Sequence, residues 1–146
     1  MGWRPQVIVV AVDGSAQSQR AADLGAALAR AHQSRLVLLT VVRPPEGWWG
    51  LAGQPPSPEA LSDALIAGQQ EILRQTESAT DLSGVSYETA EELGDPRLAI
   101  LATCERESAD LLVVGRRGAG LVERMVIGSV ADRLAHDSPV PILIVP

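Results

Sequence analysis

The chain alternates short apolar runs with stretches of helical periodicity, and this alternation limits its fold more than any other feature. Residues 7–12, 35–42 and 109–115 form apolar runs of the kind expected for strands that are buried on both faces. Residues 85–91 alternate apolar and polar side chains, which predicts a strand nearer the edge of the sheet. A last apolar run at residues 141–145 predicts a fifth strand.

The stretches between these runs carry helix signals. Residues 16–33 repeat apolar side chains at spacings of three and four, which is typical of an amphipathic helix. Ser57 and Asp95 each precede a proline, a pattern that predicts an N-cap followed by the first helical residue. Ser129 begins a pattern that resembles the capping box of a fourth helix. The order βαβαβαβαβ therefore predicts one α/β domain over residues 1–146, built on an open parallel sheet.

The composition excludes several classes of function. All 12 basic residues are arginine, so a lysine-containing P-loop and lysine Schiff-base chemistry are impossible. The formal net charge of −6 makes the chain a poor partner for nucleic acid, and no apolar run approaches the ~18 residues of a membrane-spanning helix. Cys104 is the single cysteine, which excludes an internal disulfide. The first residues lack a signal-peptide core, so a cytoplasmic location is expected.

A glycine-rich segment follows the strand predicted at residues 109–115. In open parallel sheets, ligands bind beyond the carboxyl ends of the strands, where we expect both Asp13 and Gly115. Gly115, Gly118 and Gly128 follow the spacing G-two-G-nine-G, and Ser129 completes the pattern. Glycine lets a ligand approach the backbone, and free N–H groups of turns and helix N-termini favour phosphate. The segment therefore predicts a phosphate-binding loop, although glycines after strands are also common in ordinary turns.

The motif and its surroundings resemble the universal stress protein family, in its ATP-binding branch, whose hallmark is G-2x-G-9x-G-(S/T). Residues 113–146, "VVGRRGAGLVERMVIGSVADRLAHDSPVPILIVP", are similar to the C-terminal signature of that family. Residues 7–42 resemble its opening strand, Asp-Gly-Ser turn, first helix and second strand, and residues 94–115 resemble the stretch before the glycine loop. The resemblance is weakest over residues 43–90.

This resemblance implies a five-stranded sheet of order 3-2-1-4-5 with helices on both faces. It also implies binding of ATP with Mg²⁺ or Mn²⁺, the metal being held mainly by the phosphates. Asp13 would face the adenine and ribose, and Val41 would contact the adenine through its backbone. Such proteins commonly form homodimers through the final strand, which here corresponds to residues 141–145.

The same resemblance assigns the phosphates to the glycine segment. Gly115 and Gly118 would line the ribose and α-phosphate, and the phosphates would be held by Gly128, Ser129 and Val130. Both positions inside the GxxG are arginine, Arg116 and Arg117, which would make the site more cationic and favour ATP over AMP. The alternatives for these two side chains are solvated loop charges or contacts to a partner chain.

Catalysis finds little support in the sequence. There is no GxSxG elbow, no HExxH motif and no Cys/His cluster. His32 and His136 fall near predicted helix C-termini, where they would complement the helix dipole, and Cys104 is expected to be buried. Asp13 is the one candidate general base, but capping a turn or bonding a ligand hydroxyl is the more economical role for it.

Three functions remain open at this stage. The first is an ATP-binding regulatory module of the stress response, in which nucleotide occupancy alters the surface presented to another protein. The second is a slow ATPase or nucleotidyl-transfer enzyme on the same fold. The third is a nucleotide-free interaction scaffold that uses the final strand and the loop containing Trp48 and Trp49, whose alternative role is local packing.

Overall fold

Strands and helices alternate along the chain in the computed structural model, which describes residues 2–43, 57–117 and 129–146. The elements are β1 (Val7–Ala11), α1 (Ala16–His32), β2 (Arg35–Val42), α2 (Pro58–Ala79), β3 (Ser86–Leu93), α3 (Pro96–Arg106), β4 (Leu111–Gly115), α4 (Ser129–Asp137) and β5 (Ile142–Val145). The predicted element order is therefore confirmed.

The five strands form one parallel sheet of order β3-β2-β1-β4-β5, as the family resemblance implied. The chain builds outward from β1 to β2 and β3, and then crosses back through α3 to place β4 on the other side of β1. The strand order reverses between β1 and β4. In sheets of this kind, a crevice forms at that reversal, beyond the carboxyl ends of the two strands.

Side chains of each inner strand alternate between two apolar layers. On one face, Ile8 and Val10 pack with Leu36 and Leu38 beneath the small residues of α1 and Leu73 of α2. On the other face, the inner strands pack against residues of α3 and α4 that include Ile100, Cys104, Ala131 and Leu134. Helices therefore cover both faces, which explains why the inner strands are continuous apolar runs.

The predicted caps of α2 and α3 are confirmed. The Ser57 hydroxyl accepts a hydrogen bond from the N–H of Ala60 at 3.1 Å, and the Asp95 carboxylate accepts one from the N–H of Leu98 at 3.1 Å. In both helices a proline follows the cap. The fourth helix differs from expectation because Ser129, the first described residue of this helix, is itself helical rather than its cap.

Four of the five strands have bounds that differ from those predicted. β1 ends at Ala11 instead of residue 12, and β5 begins at Ile142 instead of residue 141. β3 runs from Ser86 to Leu93 instead of over residues 85–91, because it pairs with β2 along the full length of that strand. β4 begins at Leu111, after Asp110, whose carboxylate accepts hydrogen bonds from the backbone N–H groups of Gln6 and Val7. The edge position predicted for β3 is confirmed, and its side chains are mostly exposed.

Among the helices of the described residues, none has the length and apolar character needed to cross a membrane.

Candidate functional site

A cleft of about 250 Å³ opens beside the carboxyl ends of β1, β2 and β4, where the strand order reverses. The first turn of α4 and the start of α3 complete its walls. Its volume lies just below the ~300–1,000 Å³ typical of small-molecule sites. Six of the nine residues predicted from the sequence line it: Asp13, Val41, Gly115, Arg117, Ser129 and Val130.

The other three predicted residues are placed differently. Arg116 is not among the described residues that line the cleft, and its backbone N–H donates to the carbonyl of Val145 at 2.7 Å, which extends the pairing of β4 with β5. Gly118 and Gly128 lie outside the described residues, as do Trp48 and Trp49.

Asp13 organises the turn that joins β1 to α1. Its Oδ1 accepts a hydrogen bond from the N–H of Ser15 at 2.9 Å, and its own N–H donates to the hydroxyl of Ser18 at 3.2 Å. Ser15 in turn caps α1 by accepting from the N–H of Ser18. Between them, Gly14 has a φ of +85°, which favours glycine. The turn-capping role expected of Asp13 is therefore present, and it holds the half-buried carboxylate at the cleft.

β2 extends beyond the end of β1, and Val41 lies in this extension. The pairing of β1 with β2 ends at Ala11 opposite Leu39, followed by one hydrogen bond from the N–H of Val12 to the carbonyl of Leu39. β2 continues for a further three residues, paired with β3. Peptide groups of alternate β2 residues face β1, and Leu39 is one of them. Val41, two residues later, therefore directs its N–H and C=O past the end of β1, beside the cleft.

Packing requires glycine at position 115, for a reason that the sequence did not reveal. A Cβ at this position would lie 2.9 Å from Cβ of Gln17 and 3.0 Å from both the carbonyl carbon of Gln17 and the backbone nitrogen of Ser18. The end of β4 thus packs directly on the first turn of α1. Gly115 lines the cleft, but the absence of its side chain is already required by this contact.

The first turn of α4 forms the opposite wall. Ser129, Val130 and Ala131 all line the cleft, and they are the first three residues of the helix. The N–H groups of a first helical turn have no partner within their own helix, and they carry the positive end of the helix dipole. This wall is therefore suited to an anion.

Seven of the described lining residues were not predicted as site residues from the sequence: Ala11, Val12, Ser18, Pro96, Ile100, Val114 and Ala131. Ser18 holds the β1–α1 turn, and Pro96 and Ile100 of α3 form an apolar wall. The Asp-Pro signal did locate the start of α3. It could not show that α3 borders the cleft, because that depends on the sheet face to which the crossover returns.

The remaining candidates for chemistry are not among the described residues that line the cleft. His32 and His136 lie at the C-terminal ends of α1 and α4, as expected. Cys104 is buried at 2% exposure, and desolvation raises the pKa of its thiol to about 11. No group of three or more His, Cys, Asp or Glu side chains within residues 2–43, 57–117 and 129–146 could hold a metal ion.

Sheet order and cleft together define an open, parallel α/β domain with a cleft at its switch point. The sequence profile of the Universal stress protein family matches residues 5–146, and the chain belongs to that family. The Universal stress protein Sll1654 of Synechocystis is 35% identical over 142 residues, which are 97% of this chain and 85% of that protein.

Two solved structures extend the comparison. The universal stress protein UspA from Lactobacillus plantarum superposes with a TM-score of 0.80, covers 99% of this chain and 100% of its own, and at 24% identity supports the fold alone. A universal stress protein in complex with cAMP is 27% identical, with a TM-score of 0.65 and 98% of each chain covered.

Proposed function

We propose that the cleft binds an adenine nucleotide, ATP with Mg²⁺, and that occupancy of this site makes the protein a nucleotide-dependent regulatory module of the stress response. The proposal rests on one observation: two kinds of hydrogen-bonding group border the same cleft. These groups are the backbone N–H and C=O of Val41, which lie past the end of β1, and the helix N-terminus at Ser129. The strand peptide suits the hydrogen-bonding edge of a base, and the helix N-terminus suits a phosphate chain. The related protein in complex with cAMP supports an adenine nucleotide as the ligand class.

The base end of the site is formed by Val41 and its apolar neighbours. An adenine edge offers a donor and an acceptor side by side, which match the C=O and N–H of one strand residue. Ile100 and Val114 line the same cleft and supply apolar surface for the ring. Asp13, fixed by its bond to Ser15, accepts hydrogen bonds from the ribose hydroxyls in this proposal.

The phosphate end of the site is formed by the first turn of α4. The backbone N–H and the hydroxyl of Ser129, together with the N–H of Val130, would donate hydrogen bonds to the phosphates. Gly118 and Gly128 keep the phosphate role that the family motif assigns to them. The described residues supply no acidic cluster for a metal, so Mg²⁺ would be held mainly by the phosphates and water.

A single substitution tests the phosphate end without disturbing the helix. Ser129→Asp places a carboxylate in the first turn of α4, where acidic residues are favourable for the helix but repel a phosphate. We expect the affinity for ATP, measured by isothermal titration calorimetry, to fall at least about tenfold, which corresponds to ~1.4 kcal/mol. The melting temperature without nucleotide should stay within about 2 °C of the wild type, since the change is a surface one.

Ser62→Asp, which adds the same charge within α2, is the matched control and should bind ATP as the wild type does. Unchanged ATP affinity in Ser129→Asp would contradict the proposed phosphate site. Failure of the wild-type protein to bind any adenine nucleotide would contradict the function itself and leave the interaction scaffold as the better account.

The enzyme alternative predicts a different result. Steady release of ADP, abolished by Asp13→Ala while ATP binding persists, would favour a slow ATPase or nucleotidyl-transfer enzyme. The hydrogen bond from Ser15 to Asp13 favours a structural and ligand-binding role for this carboxylate. We further propose a cytoplasmic homodimer joined through residues 141–145, because β5 is an edge strand of the sheet.

A further inference from the structure

A second, smaller cavity of about 160 Å³ adjoins the cleft at the N-terminus of α4. The two cavities share Pro96, Ser129 and Val130, so they adjoin at the first turn of the helix, and this junction is their shared mouth. The remaining residues that line the second cavity are all charged: Arg43, Asp95, Arg97 and Arg133. An arginine cluster, formed by Arg43, Arg97 and Arg133, therefore lies beyond the wall proposed for the phosphates.

The arginine cluster carries a net positive charge although the chain as a whole is acidic. Arg43 Nη2 lies 2.7 Å from Asp95 Oδ2, and this pair is partly exposed to solvent. Arg97 Nη1 lies 3.0 Å from Oδ2 of Asp137, which does not line the cavity. Within the described part of the chain, Arg133 forms no ion pair, and its side chain is exposed. The cavity thus faces solvent with three guanidinium groups and one carboxylate.

Arg133 follows Ser129 by one helical turn. Residues four apart lie on the same face of a helix, so both side chains face the shared mouth of the two cavities. Arg43 approaches the same mouth from the end of β2. A ligand whose anionic tail passes the first turn of α4 would meet these two arginines next. A nucleoside monophosphate would be too short to use them fully.

We propose that Arg43 and Arg133 form a subsite for the terminal phosphate of a nucleoside triphosphate, and that they set the preference of the site for ATP over AMP. This inference rests on the proposed function. Without ligand, Asp95 holds Arg43 beside the cavity. With a triphosphate bound, Arg43 exchanges this carboxylate for the terminal phosphate, while Asp95 keeps its hydrogen bond from the N–H of Leu98 at the start of α3.

Three substitutions test the subsite by calorimetric titration with ATP, ADP and AMP. Two of them should lower the affinity for ATP, and the third should raise it. Arg43→Gln and Arg133→Gln should each weaken ATP binding by about two- to fivefold, the range for partly exposed charge contacts, and should leave AMP binding unchanged. Asp95→Asn should strengthen ATP binding by a similar factor of about two- to fivefold, because it removes a competing charge. Asparagine caps helices as well as aspartate does, so α3 is preserved.

Arg74→Gln is the matched control. Arg74 lies on α2, is comparably exposed and pairs with Glu71 away from both cavities, so its loss changes net charge equally without touching the mouth. The ATP-to-AMP affinity ratio of the wild type should also fall as salt is raised, because screening shortens the range of exposed charges.

The outcomes separate the two proposals. Lower ATP affinity in both arginine variants, with AMP affinity unchanged, supports the subsite. A second outcome is that the wild type binds both ATP and AMP, and that neither arginine variant changes the ratio of the two affinities. This result would overturn the subsite and leave the proposed function intact. Equal losses of affinity for ATP and AMP would also overturn the subsite, because the two arginines would then not distinguish a triphosphate from a monophosphate. No binding of any adenine nucleotide by the wild type would overturn both.

Discussion

Replacing Gly115 with alanine should destabilise the protein, although it adds only a methyl group at the end of a strand. The new Cβ would lie 2.9 Å from Cβ of Gln17 and 3.0 Å from two backbone atoms of Gln17 and Ser18. These atoms belong to the first turn of α1 and cannot rotate away as the tip of a long side chain can. Relief therefore requires β4 and α1 to separate by several tenths of an ångström.

Overpacking of this kind lowers the free energy of unfolding by about 1–3 kcal/mol. For a chain of this size each kcal/mol shifts the melting temperature by about 2–4 °C, so Gly115→Ala should melt about 2–12 °C lower than the wild type. Urea unfolding followed by far-ultraviolet circular dichroism gives the free energy, and a thermal scan gives the melting temperature.

Gly68→Ala is the matched control because it makes the same chemical change with the opposite expected sign. Gly68 lies on the exposed face of α2, where an added Cβ would meet open space among the described residues. Alanine in a helix interior is more stable than glycine by about 0.5–1 kcal/mol. A Gly115→Ala variant as stable as the wild type, or stabilised like Gly68→Ala, would refute the packing argument.

Two further predictions concern buried polar and thiol groups. Gln69 is 1% exposed and its amide donates to the carbonyls of Thr40 and Glu92, so Gln69→Leu should lower the free energy of unfolding in urea by about 1–3 kcal/mol, while the exposed Gln70→Leu should change it little. The pKa of Cys104 is raised to about 11 by burial, so native protein should resist a disulfide reagent near pH 8 and react fully once unfolded. Burial of the protonated Cys104 thiol contributes to the free energy of unfolding, and this contribution should be lost as pH rises from 9.0, the ordinary pKa of the thiol, through about 11. The reason is that the thiol of the unfolded chain releases its proton at lower pH than the thiol of the folded protein. Rapid reaction of the native thiol at pH 8 would contradict its burial.

The elements were predictable wherever local chemistry decides them. The inner strands are buried on both faces, and their continuous apolar runs reveal this directly. The starts of α2 and α3 were predictable because a cap residue and a proline act within one turn of the chain. The bounds of β3 were not, because they are set by pairing with β2, a distant segment.

The position of the cleft was predictable from the sequence, but the contacts that shape it were not. Asp13 and Gly115 could be assigned to the edge of the sheet that carries the cleft, because both lie at the carboxyl ends of parallel strands. The packing of Gly115 depends on how closely the first turn of α1 approaches β4. The exposure of the Val41 peptide depends on where the pairing of β1 with β2 ends, and no local pattern encodes either feature. Arg43 and Arg133 come together only through the fold, so the sequence offered no signal for their proximity.

Titration of ¹⁵N-labelled protein with ATP and Mg²⁺, followed by amide resonances, tests the proposed cleft most directly. We expect saturable shifts that are largest at Val41, Ser129 and Val130, with little change at Ser34 and Ser86 on the opposite edge of the sheet. Absence of saturable shifts, or shifts concentrated at that opposite edge, would contradict it.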